Sequence, residues 1–281
     1  MNAATLSYCG EEVRRHDHDR FLTCLFAPSQ ARDHLFALYA FNLEVAKTAE
    51  VVSESMLGRI RLQWWRESLD GIYGGNPRHH AVVEALTGTV KAHDLPRALF
   101  DTIIDGRELD LEDEPPRDLA AFEAYAASTS GALAQIAAMI LGAKDAASLK
   151  SADHVGTAWA MTGLLRAVPF HAARRRLFLP QELTARHNLE QRELFELRSS
   201  DALKEITREV AARARWHLAE ARHANAGFTR SALPAVLCAT IARRHLKSLE
   251  RAGWDPLDPV VLNRRHGLAW RLSLAWLMKR T

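Results

Sequence analysis

Apolar residues recur at steps of three and four positions along most of this 281-residue chain, and period-two alternation of β-branched residues is nearly absent. In segment 29–53 apolar side chains fall at such steps, as one buried face of an α-helix requires. These side chains are Leu35, Leu38, Phe41 and Val45. Ala, Leu, Arg and Glu dominate the composition, and all four are good helix formers. The pattern therefore predicts an all-α protein.

The same pattern predicts about ten helices in a single domain that covers residues 1–281. Helix ends are expected at glycine and proline, as in the Gly-Gly-Asn-Pro run after Tyr73 and at Pro169. The predicted helices cover 29–53, 59–73, 80–93, 97–109, 119–141, 149–168, 180–187, 200–224, 234–251 and 263–279.

The sequence makes more specific predictions for two of these helices. In helix 59–73, Ile60, Trp64 and Ile72 are expected on one buried face. Helix 119–141 is Ala-rich and almost uncharged, which predicts a central helix that is buried on all sides.

Composition and charge exclude several classes of protein. The chain is 48% hydrophobic and 25% charged, with a net charge of +3, so it has enough apolar residues for a sizeable core and no excess of charge that would indicate a nucleic-acid partner. Cys9, Cys24 and Cys238 match no metal or redox spacing and are expected to be free thiols. Residues 1–20 have acidic side chains and no apolar core, and no apolar run approaches the ~20 residues of a membrane span. A cytoplasmic location is expected.

Two segments carry the strongest functional signal. Residues 36–50 read Phe-Ala-Leu-Tyr-Ala-Phe-Asn-Leu-Glu-Val-Ala-Lys-Thr-Ala-Glu, and residues 155–171 read Val-Gly-Thr-Ala-Trp-Ala-Met-Thr-Gly-Leu-Leu-Arg-Ala-Val-Pro-Phe-His, with three arginines shortly after. Between them, residues 104–111 read Ile-Asp-Gly-Arg-Glu-Leu-Asp-Leu, and a Tyr…Gly stretch spans 125–131. In order and spacing these blocks resemble the squalene/phytoene synthase family, whose members join two prenyl diphosphates head to head. The resemblance runs from about residue 17 to residue 183 and weakens after that. It implies an isoprenoid-synthase-type helical bundle with a central cavity, walled by residues 36–50, 119–141 and 155–168.

The carboxylates expected from this resemblance are missing. Positions where the synthases place Asp are occupied by Ala46, Lys47 and Glu50 in the first segment, and by Ala167 and His171 in the second. Mg²⁺ requires oxygen ligands, usually carboxylates together with phosphate oxygens, and a lysine at such a position repels the metal. The resemblance therefore implies a non-catalytic protein with no metal and no other cofactor. Mg²⁺ would be required only under the alternative of an active prenyltransferase.

The second segment has lost its carboxylates, but the arginines in and after it are present. In the synthases a basic loop at this position helps to hold diphosphate, and guanidinium groups suit phosphate oxygens. The resemblance thus implies a pocket for an anionic lipid or a prenyl diphosphate. Its candidate residues are Tyr39, Lys47, Glu50, Arg166, His171, Arg174 and Arg176. The alternative is that the loop 174–176 is solvated or pairs with Glu182.

Two other groups of residues resemble metal ligands. Glu44 and Glu50 are six positions apart, so they do not share a helix face. Residues 16–19 read His-Asp-His-Asp, but adjacent side chains point in different directions on any regular element. Neither group is expected to bind a metal.

One branch of the family fits best. Residues 41–44 read Phe-Asn-Leu-Glu and residues 60–65 read Ile-Arg-Leu-Gln-Trp-Trp, and the second segment has Leu-Arg-Ala-Val-Pro-Phe-His where synthases have Arg-Asp. These features resemble the branch that assists assembly of NADH:quinone oxidoreductase (complex I), which implies subunits of that complex as partners. The alternatives are an active prenyltransferase and a protein that binds a prenyl lipid or quinone.

The C-terminal segment suggests a weak peripheral contact with the inner face of a membrane. Residues 264–280 combine Trp and Leu with five cations and no acidic residue, as in helices that lie at a lipid interface. The cations are Arg264, Arg265, Arg271, Lys279 and Arg280. The alternative is that Leu268, Leu272 and Trp276 form an ordinary stripe packed on the core.

Overall fold

The predicted all-α fold is confirmed by the computed structural model, which describes residues 6–52, 54–224, 229–262 and 267–278. Within these ranges the regular structure is helical, with no β-strand. The helices are α1 (Tyr8–His16), α2 (His18–Cys24), α3 (Ser29–Ala46), α4 (Thr48–Val51), α5 (Ser55–Gly74), α6 (Ala81–His93), α7 (Arg97–Glu108), α8 (Leu119–Ala126), α9 (Ala132–Ile140), α10 (Ala146–Ala173), α11 (Gln181–Arg186), α12 (Gln191–Phe195), α13 (Asp201–Ala224), α14 (Cys238–Arg251), α15 (Pro259–Leu262) and α16 (Leu268–Leu277). The sequence pattern does not predict α1 and α2.

Helix α10 is the centre of the bundle. It has 28 residues and packs against α13, α14, α8 and α9. On the other side of α9 lies α3, which also contacts α1 and α6. The hydrophobic core is continuous from Cys9 to Val261, and its largest side chains include Trp65, Phe41 and Phe100. Trp65 and Phe100 both meet the Phe41 ring edge-on, with centroids 5.2 and 5.4 Å away, a favourable aromatic geometry.

The predicted helix 29–53 is interrupted at Lys47. Helix α3 ends at Ala46, and the short helix α4 follows after Lys47. The hydroxyl of Thr48 donates to the carbonyl of Glu44 at 3.4 Å, a local bond of the kind that competes with the regular helical ladder. The backbone N–H of Glu50 then donates to the Lys47 carbonyl at 2.9 Å, closing a tighter turn. Residue 53, the predicted end of this helix, lies outside the described residues.

The predicted central helix 119–141 also differs from expectation. A π-helical turn, Ala127–Gly131, separates α8 from α9. The hydroxyls of Ser128 and Thr129 both donate to the carbonyl of Tyr125, at 3.0 and 2.7 Å. The helix is not buried on all sides, because its first two turns expose Ala120 and Ala124 to solvent. Burial on most sides begins only near the π-helical turn, where α10 crosses.

Pro169 does not end its helix as predicted, because α10 continues to Ala173. Proline removes one backbone donor and crowds the preceding turn. Val168 and Ala172 on either side are buried, so packing of this last turn offsets the lost hydrogen bond.

The predicted buried face of helix 59–73 is right for Ile72 and wrong for Ile60. Ile60 is 60% exposed, and the side that faces the core is formed by other residues at three- and four-residue steps. These are Leu62, Trp65, Leu69 and Ile72. Trp64 is only partly buried.

A buried polar network connects α8, α10 and α13. The Nδ1 atoms of His154 and His217 are 2.9 Å apart, and Nε2 of His217 lies 2.9 Å from Oε1 of Glu123. Arg213 donates to both oxygens of Glu123, at 2.6 and 2.9 Å. Burial lowers the pKa of both histidines, so both imidazoles are neutral near pH 7.

The three cysteines are free, as expected from their spacing, and all three are buried. Burial raises the pKa of Cys9 to about 11 and that of Cys238 to about 12, so neither is a reactive thiolate. Of the helices in the described part of the chain, none combines the length and the apolar character needed to cross a bilayer.

Candidate functional site

The two signature segments meet at one cavity with a volume of about 440 Å³. Glu50 projects from α4, while Leu164 and His171 project from the last turns of α10. The cavity is lined by Ala46, Ala49, Glu50, Arg107, Asp110, Tyr125, Leu164, Phe170, His171, Arg174, Arg176 and Phe178. Its size is that of a small-molecule site, for which ~300–1,000 Å³ is usual. We call it the cationic cavity.

Three polar side chains form one wall of the cationic cavity. Nη1 of Arg107 donates to Oδ2 of Asp110 at 3.1 Å and to the Tyr125 hydroxyl at 2.8 Å. The Tyr125 hydroxyl donates to Oδ1 of Asp110 at 2.6 Å. Burial raises the pKa of Tyr125, which therefore remains a neutral donor. Both carboxylate oxygens of Asp110 are thus engaged within the protein.

The loop 174–176, which we call the arginine loop, is held against the cavity by the side chains of Arg174 and Arg176. Nη2 of Arg176 donates to the carbonyls of Asp110 and Glu112, at 2.9 and 3.0 Å. The guanidinium of Arg174 lies over the Phe170 ring, 4.0 Å from its centroid, a cation–π contact. Glu182 bonds to Arg186 and not to the loop, whereas Arg174 and Arg175 are exposed, as the alternative of a solvated loop predicts.

His171 presents a neutral ring to the cavity. Its imidazole stacks on Phe178, with the ring centroids 5.7 Å apart. Burial lowers the pKa of His171, and the nearby charges of Arg176 and Arg174 lower it further. A position where a synthase would supply a carboxylate therefore supplies an uncharged ring held by an aromatic neighbour.

The residues of the cationic cavity do not fit a Mg²⁺–diphosphate cluster. Two lining residues are carboxylates: Asp110 is engaged by Arg107 and Tyr125, which leaves Glu50. A single carboxylate among three arginines is a poor Mg²⁺ site, since the cations repel the metal. In the described part of the chain no three His, Cys, Asp or Glu side chains are grouped as metal ligands would be.

The deeper space between α3, the π-helical turn and α10 is nearly filled. Its volume is about 10 Å³, which is close to the size of one water molecule. Arg20 enters this space from α2, with its guanidinium 5.5 Å from the Tyr39 ring and 5.9 Å from the Trp159 ring. Nη1 of Arg20 donates to Asp17 at 2.7 Å, and Nη2 donates to the Ser130 hydroxyl at 3.0 Å. Tyr39 therefore lies in this filled space and does not line the cationic cavity.

Arg166 and Lys47 also lie apart from the cationic cavity. Arg166 lines a second cavity of about 480 Å³, together with residues 16–19, Arg244 and His245. Five residues of helix place Arg166 about 140° around α10 from His171 and about 7.5 Å along its axis. The expectation that Arg166 and the arginine loop act on one ligand is therefore wrong. Lys47 is half-buried at the break between α3 and α4 and does not line either cavity.

Sequence reasoning missed Arg20, Arg107, Asp110 and Tyr125 as site residues. A signal was present for two of them, because Arg107 and Asp110 lie three positions apart within the 104–111 block and so share a helix face. Tyr125 opens the block that follows. Arg20 also lies three positions from its partner Asp17, but its second partner, Ser130, is 110 residues away and gives no local signal.

Comparison with known families agrees with this geometry. A family profile described as squalene/phytoene synthase matches residues 13–274, and the chain belongs to that family. The chain is 33% identical to human "NADH dehydrogenase (ubiquinone) complex I, assembly factor 6", over 90% of this chain and 76% of that protein. The protein of the same name from Bos taurus is 34% identical, over 92% of this chain and 77% of that protein. The presqualene diphosphate synthase of Rhodopseudomonas palustris is 26% identical, over 69% of each chain.

Solved structures confirm the fold alone. A dehydrosqualene synthase solved with a ligand superposes with a TM-score of 0.85 at 18% identity, covering 97% of this chain and 95% of that one. The squalene synthase HpnC of Alicyclobacillus acidocaldarius superposes with a TM-score of 0.79 at 18% identity, covering 88% and 94%. Both the predicted family and the predicted isoprenoid-synthase-type fold are confirmed.

Proposed function

We propose that this protein is a non-catalytic member of the squalene/phytoene synthase family that assists assembly of NADH:quinone oxidoreductase, complex I. The observation that carries the proposal is the 33–34% identity to complex I assembly factors over at least nine-tenths of this chain. The match to a presqualene diphosphate synthase is weaker and shorter, at 26% over 69% of the chain. Subunits of complex I are the partners that this role implies.

The absence of catalysis is supported by two separate features of the interior. In the cationic cavity, Glu50 is the one lining carboxylate that is not engaged by Arg107 and Tyr125. In the deeper space, Arg20 and its neighbours leave about 10 Å³, whereas a prenyl chain needs a pocket of some hundreds of Å³. The second feature also disfavours the alternative of a prenyl lipid or quinone held inside the bundle.

Deletion of the gene in its host tests the assembly role. We expect the deletion strain to lose assembled complex I on native gels, together with membrane NADH:quinone activity. The wild-type gene should restore both, and so should Glu50→Gln, which removes the cavity carboxylate that Arg107 and Tyr125 do not engage and keeps the size of the side chain. Normal complex I in the deletion strain would overturn the proposal. Diphosphate release from farnesyl or geranylgeranyl diphosphate with Mg²⁺, abolished by Glu50→Gln, would instead establish the prenyltransferase.

A second candidate function is supported by the cationic cavity itself. We infer that it binds the phosphate group of an anionic lipid or a prenyl diphosphate, with the hydrocarbon chain remaining outside the filled interior. Arg107, Arg174 and Arg176 contribute three positive charges to a lining with two carboxylates. Arg107 and Arg176 are held by bonds within the protein. Arg174 rests on the Phe170 ring, and no carboxylate pairs with it among the residues that the structure describes. Arg174 is therefore the arginine best placed to receive a phosphate.

Calorimetry with inorganic diphosphate, in the absence of metal, tests this candidate. Arg174→Gln should weaken binding about tenfold or more, since a hydrogen bond to a charged group is worth ~1.5–3 kcal/mol. Arg175→Gln is the matched control, because Arg175 is exposed and does not line the cavity. Equal losses in the two variants would show only a general effect of charge. Binding that strengthens many-fold with Mg²⁺ would contradict the non-catalytic assignment.

A further inference from the structure

Helix α16 has two apolar faces. Leu272 is fully buried against Leu237 and Ile241, and Leu268, Ala275 and Trp276 pack around it. This inner face confirms that the helix packs on the core. It does not account for the remaining apolar side chains of α16 and its C-terminal end.

The outer face is apolar and exposed to solvent. Trp270 is 69% exposed, Leu274 39%, Leu277 59% and Met278 51%. Their spacing of four, three and one residues places them along one side of the helix. Among the residues that the structure describes, Trp270 is the most exposed large apolar side chain. We call these four side chains the outer stripe.

The charged residues of the C-terminal segment 259–281 are all of one sign. No Asp or Glu occurs in residues 259–281, whereas Arg264, Arg265, Arg271, Lys279 and Arg280 are cations. Arg271 lies on α16 and is exposed, and the other four lie outside the described residues. A further cation, Arg230, lies near the C-terminal end of α16, where its guanidinium is 4.3 Å from the centroid of the Trp276 ring.

The geometry of α16 restricts what can cover the stripe. Ten helical residues are about 15 Å long, half the ~30 Å thickness of a hydrocarbon core, so the helix can lie along a bilayer surface but not cross it. Four side chains on one short helix also fall far short of the ~800 Å² per partner that a stable protein interface buries. Trp and Leu among cations are the composition of helices that rest at the headgroup level of an anionic membrane.

We propose that the outer stripe of α16 docks this protein onto the surface of an anionic phospholipid bilayer, with the helix parallel to the membrane. Docking goes beyond the proposed assembly role and does not depend on it, because no residue of α16 lines the cationic cavity. The inner face keeps α16 on the bundle while the outer face enters the lipid. The two interpretations of the C-terminal segment therefore apply to opposite faces of one helix.

Co-sedimentation of the purified full-length protein with vesicles tests the proposal. Binding is expected to phosphatidylcholine vesicles that contain phosphatidylglycerol, to weaken in high salt, and to be minimal with phosphatidylcholine alone. Replacing Trp270 and Leu274 by Ser should lower the affinity roughly tenfold or more, because each apolar side chain loses its transfer into lipid. The matched control replaces Met56 and Ile60 by Ser, since they are 61% and 60% exposed on α5, and should change it less than about twofold.

A second measurement separates docking from folding. Brominated anionic vesicles should quench the tryptophan fluorescence of the wild type, and Trp270→Phe should remove most of this quenching while retaining co-sedimentation. Trp216→Phe is the control, because Trp216 is 42% exposed on α13 and should not reach the lipid. Quenching that persists in Trp270→Phe would overturn the proposal, as would no binding or equal binding to neutral vesicles. Light scattering that shows a dimer in the wild type and a monomer in the Trp270, Leu274 variant would assign the stripe to self-association instead.

Discussion

Gly156 lies where α10 crosses the π-helical turn, and replacing it by alanine gives a direct test of this packing. A Cβ atom at position 156 would lie 2.1 Å from the carbonyl oxygen of Ser130 and 2.9 Å from Cβ of Ala134. Gly163 lies seven residues further along α10 and so on nearly the same helix face, but a Cβ atom there meets nothing within 4 Å. The same substitution at the two positions should therefore have opposite effects.

The expected free energies follow from two contributions. Alanine is favoured over glycine in a helix by ~1 kcal/mol, and this gain applies at both positions. At position 156 the added methyl group also overpacks the crossing, at a cost of ~1–3 kcal/mol. The upper end of this range of cost applies because the blocking atom is the backbone oxygen of Ser130, which cannot rotate away. We expect Gly156→Ala to lower the free energy of unfolding by about 2 kcal/mol and Gly163→Ala to raise it by about 0.5–1 kcal/mol.

Urea denaturation followed by far-ultraviolet circular dichroism measures both variants. The midpoint should move to lower urea for Gly156→Ala and to higher urea for Gly163→Ala, with unchanged slopes. If Gly156→Ala were as stable as the wild type, the close crossing of α10 and the π-helical turn would be refuted. Equal destabilisation of both variants would show that the effect comes from α10 in general and not from this contact.

Three further predictions concern protons, metal and buried charge. The folded-state pKa values of His154 and His217 are lowered. The free energy of unfolding should therefore be highest above about pH 6.5 and fall as the pH drops below that value. A urea midpoint that stays constant from pH 7.5 to 5.5 would contradict this. Calorimetry should show no tighter binding of a non-hydrolysable prenyl diphosphate when Mg²⁺ is added, and a many-fold gain would refute the loss of the metal site. Arg107→Ala should cost ~1–3 kcal/mol in urea denaturation, because it leaves the partly buried carboxylate of Asp110 without its cation. The exposed pair of Arg59 makes Arg59→Ala the control, at ~1 kcal/mol or less.

The elements that follow from local periodicity could be predicted from the sequence. Helices 97–109 and 200–224 correspond to Arg97–Glu108 and Asp201–Ala224. The break at Lys47 and the π-helical turn could not be predicted in this way. Both involve hydroxyl groups that bond to carbonyls of the preceding turn, and such bonds compete with the helical ladder only in a particular packing environment.

The family resemblance, and not spacing along one helix, brings the two signature segments together. Glu50 and His171 line the same cavity, as the order of the family blocks implies. Tyr39 was misplaced because eleven helical residues would separate it from Glu50 by about 16 Å along the axis, which places it deep in the bundle. The role of Arg20 depends on contacts across more than a hundred residues, and single-chain periodicity carries no information about such contacts.

Under the proposed non-catalytic function, the position of Arg20 determines what would be needed to give this chain prenyltransferase activity. Restoring Asp at Ala46, Lys47, Ala167 and His171 would supply carboxylates but not room for a hydrocarbon substrate. The space between α3, the π-helical turn and α10 is taken by the guanidinium of Arg20, which bonds to Asp17 and Ser130 and lies near the rings of Tyr39 and Trp159. Arg20 would have to be replaced by a residue with a shorter side chain, and Asp17 would need a new cationic partner, before a ligand could enter this space. A prenyltransferase designed on this chain would thus need changes in the interior as well as at the positions where the synthases place Asp.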